Sequence, residues 1–291
     1  MLSLMHISDL HFGPYHLPAI AESVLRSAEA LQPDVIVASG DFTQRATVAE
    51  YQAARAFLDR LPNVPCVVCP GNHDVPLYRV WERIFTPHAL YQEYISPQLN
   101  NVLKLPSATI VSLDSTSPLR AITNGRLEKE QLVYAGKAFD EGPPAAVRIL
   151  VAHHHFAPAP DYDKQSNVMP HAKRALDAFA LQNVELILGG HLHRAYIGNS
   201  LDVYPGKDRK HGMVIVQSGT TTSRRGRARE REKNSFNWIR VTEDTIRITH
   251  YMYFDDAEGF APVSRHIFPR ASRQYFADPP DLAEKPDHWS S

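Results

Sequence analysis

The sequence predicts a single layered α/β domain whose later part is a more antiparallel sheet, and two observations carry that prediction. Through residues 1–200, apolar runs of strand length alternate with segments of helical period, and after residue 210 strand patterns follow one another directly. A third observation sets the domain count. The 291-residue chain has no internal repeat and no low-complexity linker, and that length suffices for one large core.

The elements follow in order. Leu2–Ile7 is a short apolar run, and Pro18 opens a stretch in which Ile20, Val24, Leu25, Ala28 and Leu31 keep the helical period. "DVIVASGD" reads as a buried strand ending at Gly40-Asp41. Thr47 and Glu50 form a capping-box pattern at the head of a helix with Tyr51, Ala54, Leu58 and Leu61 on one face. "VPCVVCPGNHD" is strand and loop again. Further strands are expected at 109–113, 147–152 and 184–188, with a helix near 128–139, and then at 213–217, 236–241 and 245–253. The domain is therefore read as residues 1–254. Residues 255–291, rich in proline and charge, are expected to form an irregular tail packed on it.

Composition narrows the function. Hydrophobic residues make up 43% and charged residues 22%, as in soluble globular proteins. A formal net charge of −1 gives no basic field for nucleic acid or acidic lipid, so neither is an expected partner. No apolar run approaches the roughly 20 residues of a membrane helix. The start "MLSLMHISDLHFG" has no basic segment and meets Asp9 too early for a secretory signal, so a cytoplasmic location is expected. Cys66 and Cys69 have C-x-x-C spacing, but residues three apart on a strand face opposite sides. Pro70-Gly71 also follows where a thioredoxin-like pair would open a helix, so two buried free thiols are expected. A homo-oligomer is left open. The 15 histidines, many beside Asp, Gly or another His, point to metal or proton chemistry.

Five expected strand ends carry polar residues that no strand needs. They are Asp9-Leu10-His11, Gly40-Asp41, Gly71-Asn72-His73-Asp74, His153-His154-His155 and Gly189-Gly190-His191-Leu192-His193. Ligands bind at the carboxyl ends of strands in open α/β sheets, and carboxylate, amide and imidazole groups suit divalent transition metals. Asp-x-His or Gly-Asp alone is commonplace. Two histidines two apart in an extended segment share a face and can chelate together. It is the ordered set that argues for a metal site.

These residues resemble the calcineurin-like metallophosphoesterase superfamily, whose pattern runs D-x-H, G-D, G-N-H-D/E, H, G-H-x-H across residues 5–194 here. The resemblance implies a four-layer αββα sandwich of two mixed sheets flanked by helices, with the metal site at strand carboxyl ends. It implies that Asp9, His11 and His193 bind a first metal, that Asn72, His153 and His191 bind a second, and that Asp41 bridges both. His153 is chosen because the family usually reads H-H-P with the first histidine coordinating. His155 stands where proline is common, so His154 is kept as an alternative ligand or a substrate contact. His73 would face the substrate as general acid, with Asp74 orienting its imidazole and favouring the protonated form.

Mixed N/O ligation implies two divalent or trivalent ions, Mn, Fe or Zn, in preference to Ca²⁺. Held about 3.5–4 Å apart, they would position a bridging hydroxide for in-line displacement at phosphorus. The stretch "SGTTTSRRGRAREREKNSFNWIRV" is similar to bacterial members related to class III cyclic-nucleotide phosphodiesterases, which implies a cyclic nucleotide or another small phosphodiester as substrate. A phosphomonoesterase, a pyrophosphatase for a nucleotide-linked lipid and a nuclease are the enzymatic alternatives. A non-catalytic interaction scaffold is the alternative of another class, and the intact Asp9, Asp41, Asn72, His73 and His193 argue against it.

Three remaining features have bland readings. Within "RRGRARERE", Arg224 and Arg225 are candidates for clamping an anionic substrate, but the compensating glutamates make a solvated hairpin the expectation. Tyr78, Trp81 and Phe85 are expected to pack under a cap rather than wall a base pocket. His16 is expected on the surface.

Overall fold

The structure is a computed structural model and describes residues 1–120, 122–158, 168–204, 212–227 and 231–270. Its elements are β1 (Leu2–Ile7), α1 (Pro18–Leu31), β2 (Val35–Ala38), α2 (Val48–Leu58), β3 (Cys66–Val68), a 3₁₀ turn (Asn72–Asp74), α3 (Val80–Phe85), α4 (Ala89–Tyr94), β4 (Asn101–Leu105) and β5 (Ala108–Ser112). There follow α5 (Lys129–Asp140), β6 (Val147–Val151), α6 (Ala172–Leu181), β7 (Leu186–Gly189), β8 (Tyr196–Asn199), α7 (Ser200–Val203), β9 (Val214–Gln217), β10 (Ser235–Val241), β11 (Thr245–Phe254) and β12 (Gly259–Pro269).

Two six-stranded sheets lie face to face, ordered β12-β11-β10-β1-β2-β3 and β4-β5-β6-β7-β9-β8. Strand periodicity explains the layering. Leu4, Val35, Val37 and Val67 meet Ile110, Ile149, Val151 and Leu188 between the sheets. The intervening residues Met5, Ile7 and Ile36 face the other way, onto Val24 and Leu25 of α1 and Ala54 and Phe57 of α2. On the second sheet Val111, Leu150 and Ile187 pack on Ala135 and Phe139 of α5 and Leu176 and Phe179 of α6. Strands covered on both faces read as continuous apolar runs, and this is the four-layer αββα sandwich.

β1, β2 and β3 are parallel, as are β5, β6, β7 and β9. The carboxyl ends within each parallel set therefore share one edge of their sheet. Cross-links tie the two edges together: His191 N–H donates to the Asp9 carboxylate at 3.0 Å, and His153 Nδ1–H to the Ser39 carbonyl at 2.8 Å. α2 begins with the expected box, Thr47 accepting from Glu50 N–H and the Glu50 carboxylate accepting from Thr47 N–H.

Two expectations are corrected. Residues 259–269, assigned to the irregular tail, form β12, which pairs with β11 along its length. Its prolines are compatible with an edge strand, where a missing N–H costs no ladder bond. Phe260 anchors it by packing on Phe236 at 4.9 Å. Residues 271–291 of the expected tail lie outside the described residues. Cys69 is buried but Cys66 is exposed, because it starts β3 at the sheet edge. Among the described residues no helix is long and apolar enough to cross a membrane.

Candidate metal centre

Five of the seven expected ligands sit in left-handed backbone conformations: Asp9 (φ 52°), His11 (46°), Asp41 (53°), His191 (74°) and His193 (55°). Each such non-glycine residue costs about 1–2 kcal/mol, and such strain gathers at functional sites. Each strand ends abruptly and turns its last side chains inward. Gly40, at φ 90°, leads into Asp41, and a Cβ there would lie 2.7 Å from His153 Nδ1. A Cβ on Gly71 would fall on the Asp41 carboxylate. The backbone is pinned by Asp9 N–H to Gly40 C=O at 3.1 Å and His11 N–H to Asp41 C=O at 2.9 Å.

Asp9, His11, Asp41 and His193 converge in one buried cluster. His11 Nδ1 lies 3.3 Å from the Thr43 carbonyl, and His193 Nδ1 lies 2.9 Å from that of Arg225. A carbonyl only accepts, so both Nδ1 atoms carry hydrogen and both Nε2 atoms present lone pairs. Those Nε2 atoms face each other at 3.2 Å. They also face Asp9 Oδ1, at 3.7 Å from His11 and 3.2 Å from His193.

Asp41 Oδ2 lies 3.6 Å from His11 Nε2 and 3.4 Å from His153 Nε2, and it has no hydrogen-bond partner. Its other oxygen accepts from His73 N–H at 2.8 Å. The Nε2 lone pairs of His11 and His193 thus converge on carboxylate oxygens, an arrangement that a bound cation satisfies, so the donor set fits the metals that the residues imply.

On the far side of Asp41, Asn72 Oδ1 lies 3.3 Å from His153 Nε2 and 2.9 Å from His191 Nδ1. His154 joins this group but is wired differently. The Ser115 hydroxyl oxygen accepts from His154 N–H at 3.2 Å and lies 2.8 Å from His154 Nδ1. His154 Nε2 is buried without a hydrogen-bond partner among the described residues, so His154 stays a candidate ligand beside His153. His153, whose Nδ1–H donates to the Ser39 carbonyl, instead turns Nε2 toward Asp41 and Asn72.

The charges agree. Burial opposes protonation of His153, yet Asp41 and Asp9 outweigh it and push the imidazole up to about 9. Burial also disfavours ionised Asp9 and Asp41, but the surrounding imidazoles hold both well below the usual carboxylate range. Burial dominates at His11, which falls to about 4. The negative charge at the centre of this cluster calls for a cation.

The GNHD loop differs from expectation. His73 Nδ1–H donates to the Gln44 carbonyl at 2.9 Å, and His73 Nε2 lies 2.9 Å from Arg225 Nη1. Burial and then Arg225 lower its pKa, against Asp41, so the protonated form is not the favoured one. Asp74 does not orient that ring. Its carboxylate accepts from Thr43 N–H at 2.9 Å, Thr43 Oγ1–H at 3.1 Å and Gly71 N–H at 2.9 Å.

The basic segment is not a solvated hairpin where it is described. Arg227 N–H donates to the His193 carbonyl at 3.1 Å and Arg224 N–H to that of Tyr15 at 2.9 Å, which holds residues 224–227 against the centre. Residues 228–230 lie outside the described residues. Arg225 is half-buried and Arg224 is exposed. His16 is half-buried, stacked on Phe12 at 4.0 Å. Among the described residues no cap covers Tyr78, Trp81 and Phe85, which are 79%, 76% and 70% exposed.

Sequence reasoning missed Gln44, Ser115 and the props of the Asp9 turn. Those props are Thr220 and Thr222, whose hydroxyls donate to the carbonyls of Asp9 and Leu10. The polar run "SGTTTS" at the end of β9 was their only signal.

Comparison with known proteins agrees with this geometry. A family model described as calcineurin-like phosphoesterase matches residues 2–195. A probable cyclic nucleotide phosphodiesterase of Synechococcus sp. is 27% identical over 219 residues, 70% of this chain and 79% of that protein. A UDP-2,3-diacylglucosamine pyrophosphatase of Chlamydia trachomatis is 28% identical over 146 residues, 42% of this chain and 44% of that protein. Purple acid phosphatase PPD1 from yellow lupin seeds superposes with a TM-score of 0.69 at 13% identity, over 92% of this chain and 54% of that one, a likeness of fold.

Proposed function

The chain belongs to the calcineurin-like phosphoesterase family, and on that premise we propose that it hydrolyses a small phosphodiester, with cyclic nucleotides the first substrates to try. The observation that carries this is the convergence of the Nε2 atoms of His11, His193 and His153 on the carboxylates of Asp9 and Asp41. Asp9, His11 and His193 would hold one ion, Asn72, His153 and His191 another, and Asp41 both. Mn, Fe or Zn suits these N/O donors. When bound, two such ions supply an activated water as nucleophile and positive charge facing the phosphoryl oxygens.

The protein's own side chains divide the remaining work. His73 stands beside the centre without joining it, edge-on to His11 at 4.9 Å between ring centroids. Once Nε2 has taken up a proton from water, it would meet the leaving oxygen there as general acid. Ser39 and Thr43, through their carbonyls, fix the tautomers of His153 and His11 so that Nε2 faces the ions. Asp74 braces the loop that carries Asn72 and His73.

A second substrate, a nucleotide-linked lipid diphosphate, is favoured by the exposed row Leu77, Tyr78, Val80, Trp81, Ile84 and Phe85, which begins three residues after the 3₁₀ turn. A panel of cyclic nucleotides, glycerophosphodiesters, nucleotide-linked lipids and monoesters, assayed with added Mn²⁺ beside a metal determination, tests both readings. Close to two metals per chain and diester turnover lost on chelation are expected. Full activity in metal-free protein would sink the proposal.

A further inference from the structure

Arg225 touches the centre from two directions. Its carbonyl accepts the Nδ1–H of His193, so its backbone follows the position of that ligand. Its Nη1 lies 2.9 Å from both His73 Nε2 and Gln44 Oε1. His73 Nδ1 already donates to the Gln44 carbonyl. Nε2 therefore holds a lone pair, and the guanidinium donates to it.

Among the described residues, no carboxylate lies in ion-pair contact with Arg225. Its Nη1 hydrogens go to two neutral acceptors, and no described partner takes those of Nε and Nη2. A guanidinium carries five hydrogens in a planar fork that matches two oxygens of a phosphate. Hydrogen bonds between ionised groups are roughly twice as strong as those to neutral acceptors. A half-buried arginine parked on an imidazole and an amide, beside a pocket read as a phosphoester site, is set to exchange them for an anion.

We propose that Arg225 is a substrate-binding residue that takes a non-bridging oxygen of the phosphoryl group, and that this exchange releases Nε2 of His73 from the guanidinium. Only hydrogen bonds are exchanged. The identity of the anion rests on the phosphodiester reading, while the presence of an anion site here does not.

The test measures binding of inorganic phosphate to the metal-loaded full chain by calorimetry, apart from turnover. Arg225→Gln should weaken phosphate by about 10- to 100-fold, the scale of hydrogen bonds to a charged group, with metal content unchanged. Arg225→Lys should recover part of the loss, keeping the charge without the fork. Arg231→Gln, in the same basic run and exposed, should change binding less than about twofold.

In a His73→Asn background the Arg225→Gln factor should persist, because the arginine meets the anion directly. A factor that disappears there shows that Arg225 only positions His73, and overturns the proposal. Unchanged phosphate affinity, or loss of a metal in Arg225→Gln, also overturns it. Arg225-dependent phosphate binding by a protein that hydrolyses no diester would uphold this inference and reject the phosphodiesterase reading.

Discussion

Asp9, His11, Asp41 and His193 are no more than 2% exposed, whereas Asn72 and His191, across Asp41, are partly open to solvent. The first half has two carboxylates, Asp9 and Asp41, in a sealed cluster. The second half shares Asp41, adds the fully buried His153 and otherwise offers Asn72 and His191. Charge attraction grows as the surroundings become drier, so the closed half should hold its ion longer and the open half should receive the substrate. Burial and charge together would thus divide the proposed centre into an anchoring side and an exchanging side. His73 and Arg225, both half-buried, flank it where an incoming anion could meet them.

The largest effect should come from Asp41→Ala, which removes the one carboxylate common to both halves. Turnover should drop by more than the about 10²–10³-fold typical of losing one transition-state donor, and both ions should be depleted. Retention of one fully occupied ion with normal turnover would break the comparison, because the halves would then be independent. Graded chelation of the wild type sharpens it. The first ion to leave should be the one whose loss is mimicked by Asn72→Ala. If Asp9→Ala mimics it instead, the assignment of sealed and open halves is reversed.

Next in size is His73→Asn. If Nε2 serves the leaving oxygen, a natural diester should lose about 10²–10⁴-fold. An activated nitrophenyl diester, whose leaving group needs no proton, should lose far less, and metal content should stay at the wild-type level. Equal losses on both substrates would place His73 among the groups that hold the centre together.

The sealed half was the more legible one in the sequence. Asp9, His11, Asp41 and His193 each follow an apolar run, so a strand end and a candidate ligand coincide in the letters themselves. The alternation of strand and helix likewise showed a layered α/β domain, since parallel strands must have crossovers, and the family resemblance supplied the sandwich. The surroundings were not legible, because they depend on contacts far apart in sequence. Ser115 meets His154 across 39 positions, and Arg225 meets His73 across 152. β12 was hidden by its prolines and charges, which an edge strand tolerates. Asp74 shows how adjacency misleads. It follows His73 in the chain, but the 3₁₀ turn sends its carboxylate back to Gly71 and Thr43.

That geometry makes Asp74→Asn the smallest expected effect on turnover, and one of a different kind from His73→Asn. The carboxylate accepts from three donors, two on Thr43 and one on Gly71. An asparagine has one acceptor oxygen and an NH₂ group, so a buried backbone N–H of Thr43 or Gly71 loses its partner, at a cost of about 1–3 kcal/mol in stability. Thr43 and Gly71 brace the loop from behind and have no part in the proposed chemistry. Turnover should therefore fall only a few-fold, and equally for natural and activated diesters.

The pH dependence gives a separate reading on the same residue. Burial, followed by the nearby Asp41 charge, pushes the Asp74 carboxyl up to about 7, from about 3.9 in an unfolded chain. The folded state then favours the protonated form. In chelated protein the contribution of Asp74 to stability should be full below about 4 and be lost as pH rises through about 7. Asparagine cannot titrate, so the stability gap between wild type and Asp74→Asn should narrow over that window. Thermal melting of both chelated proteins from pH 5 to 7.5 measures the gap. A gap that widens instead would mean that the three donors keep the carboxylate ionised against its burial.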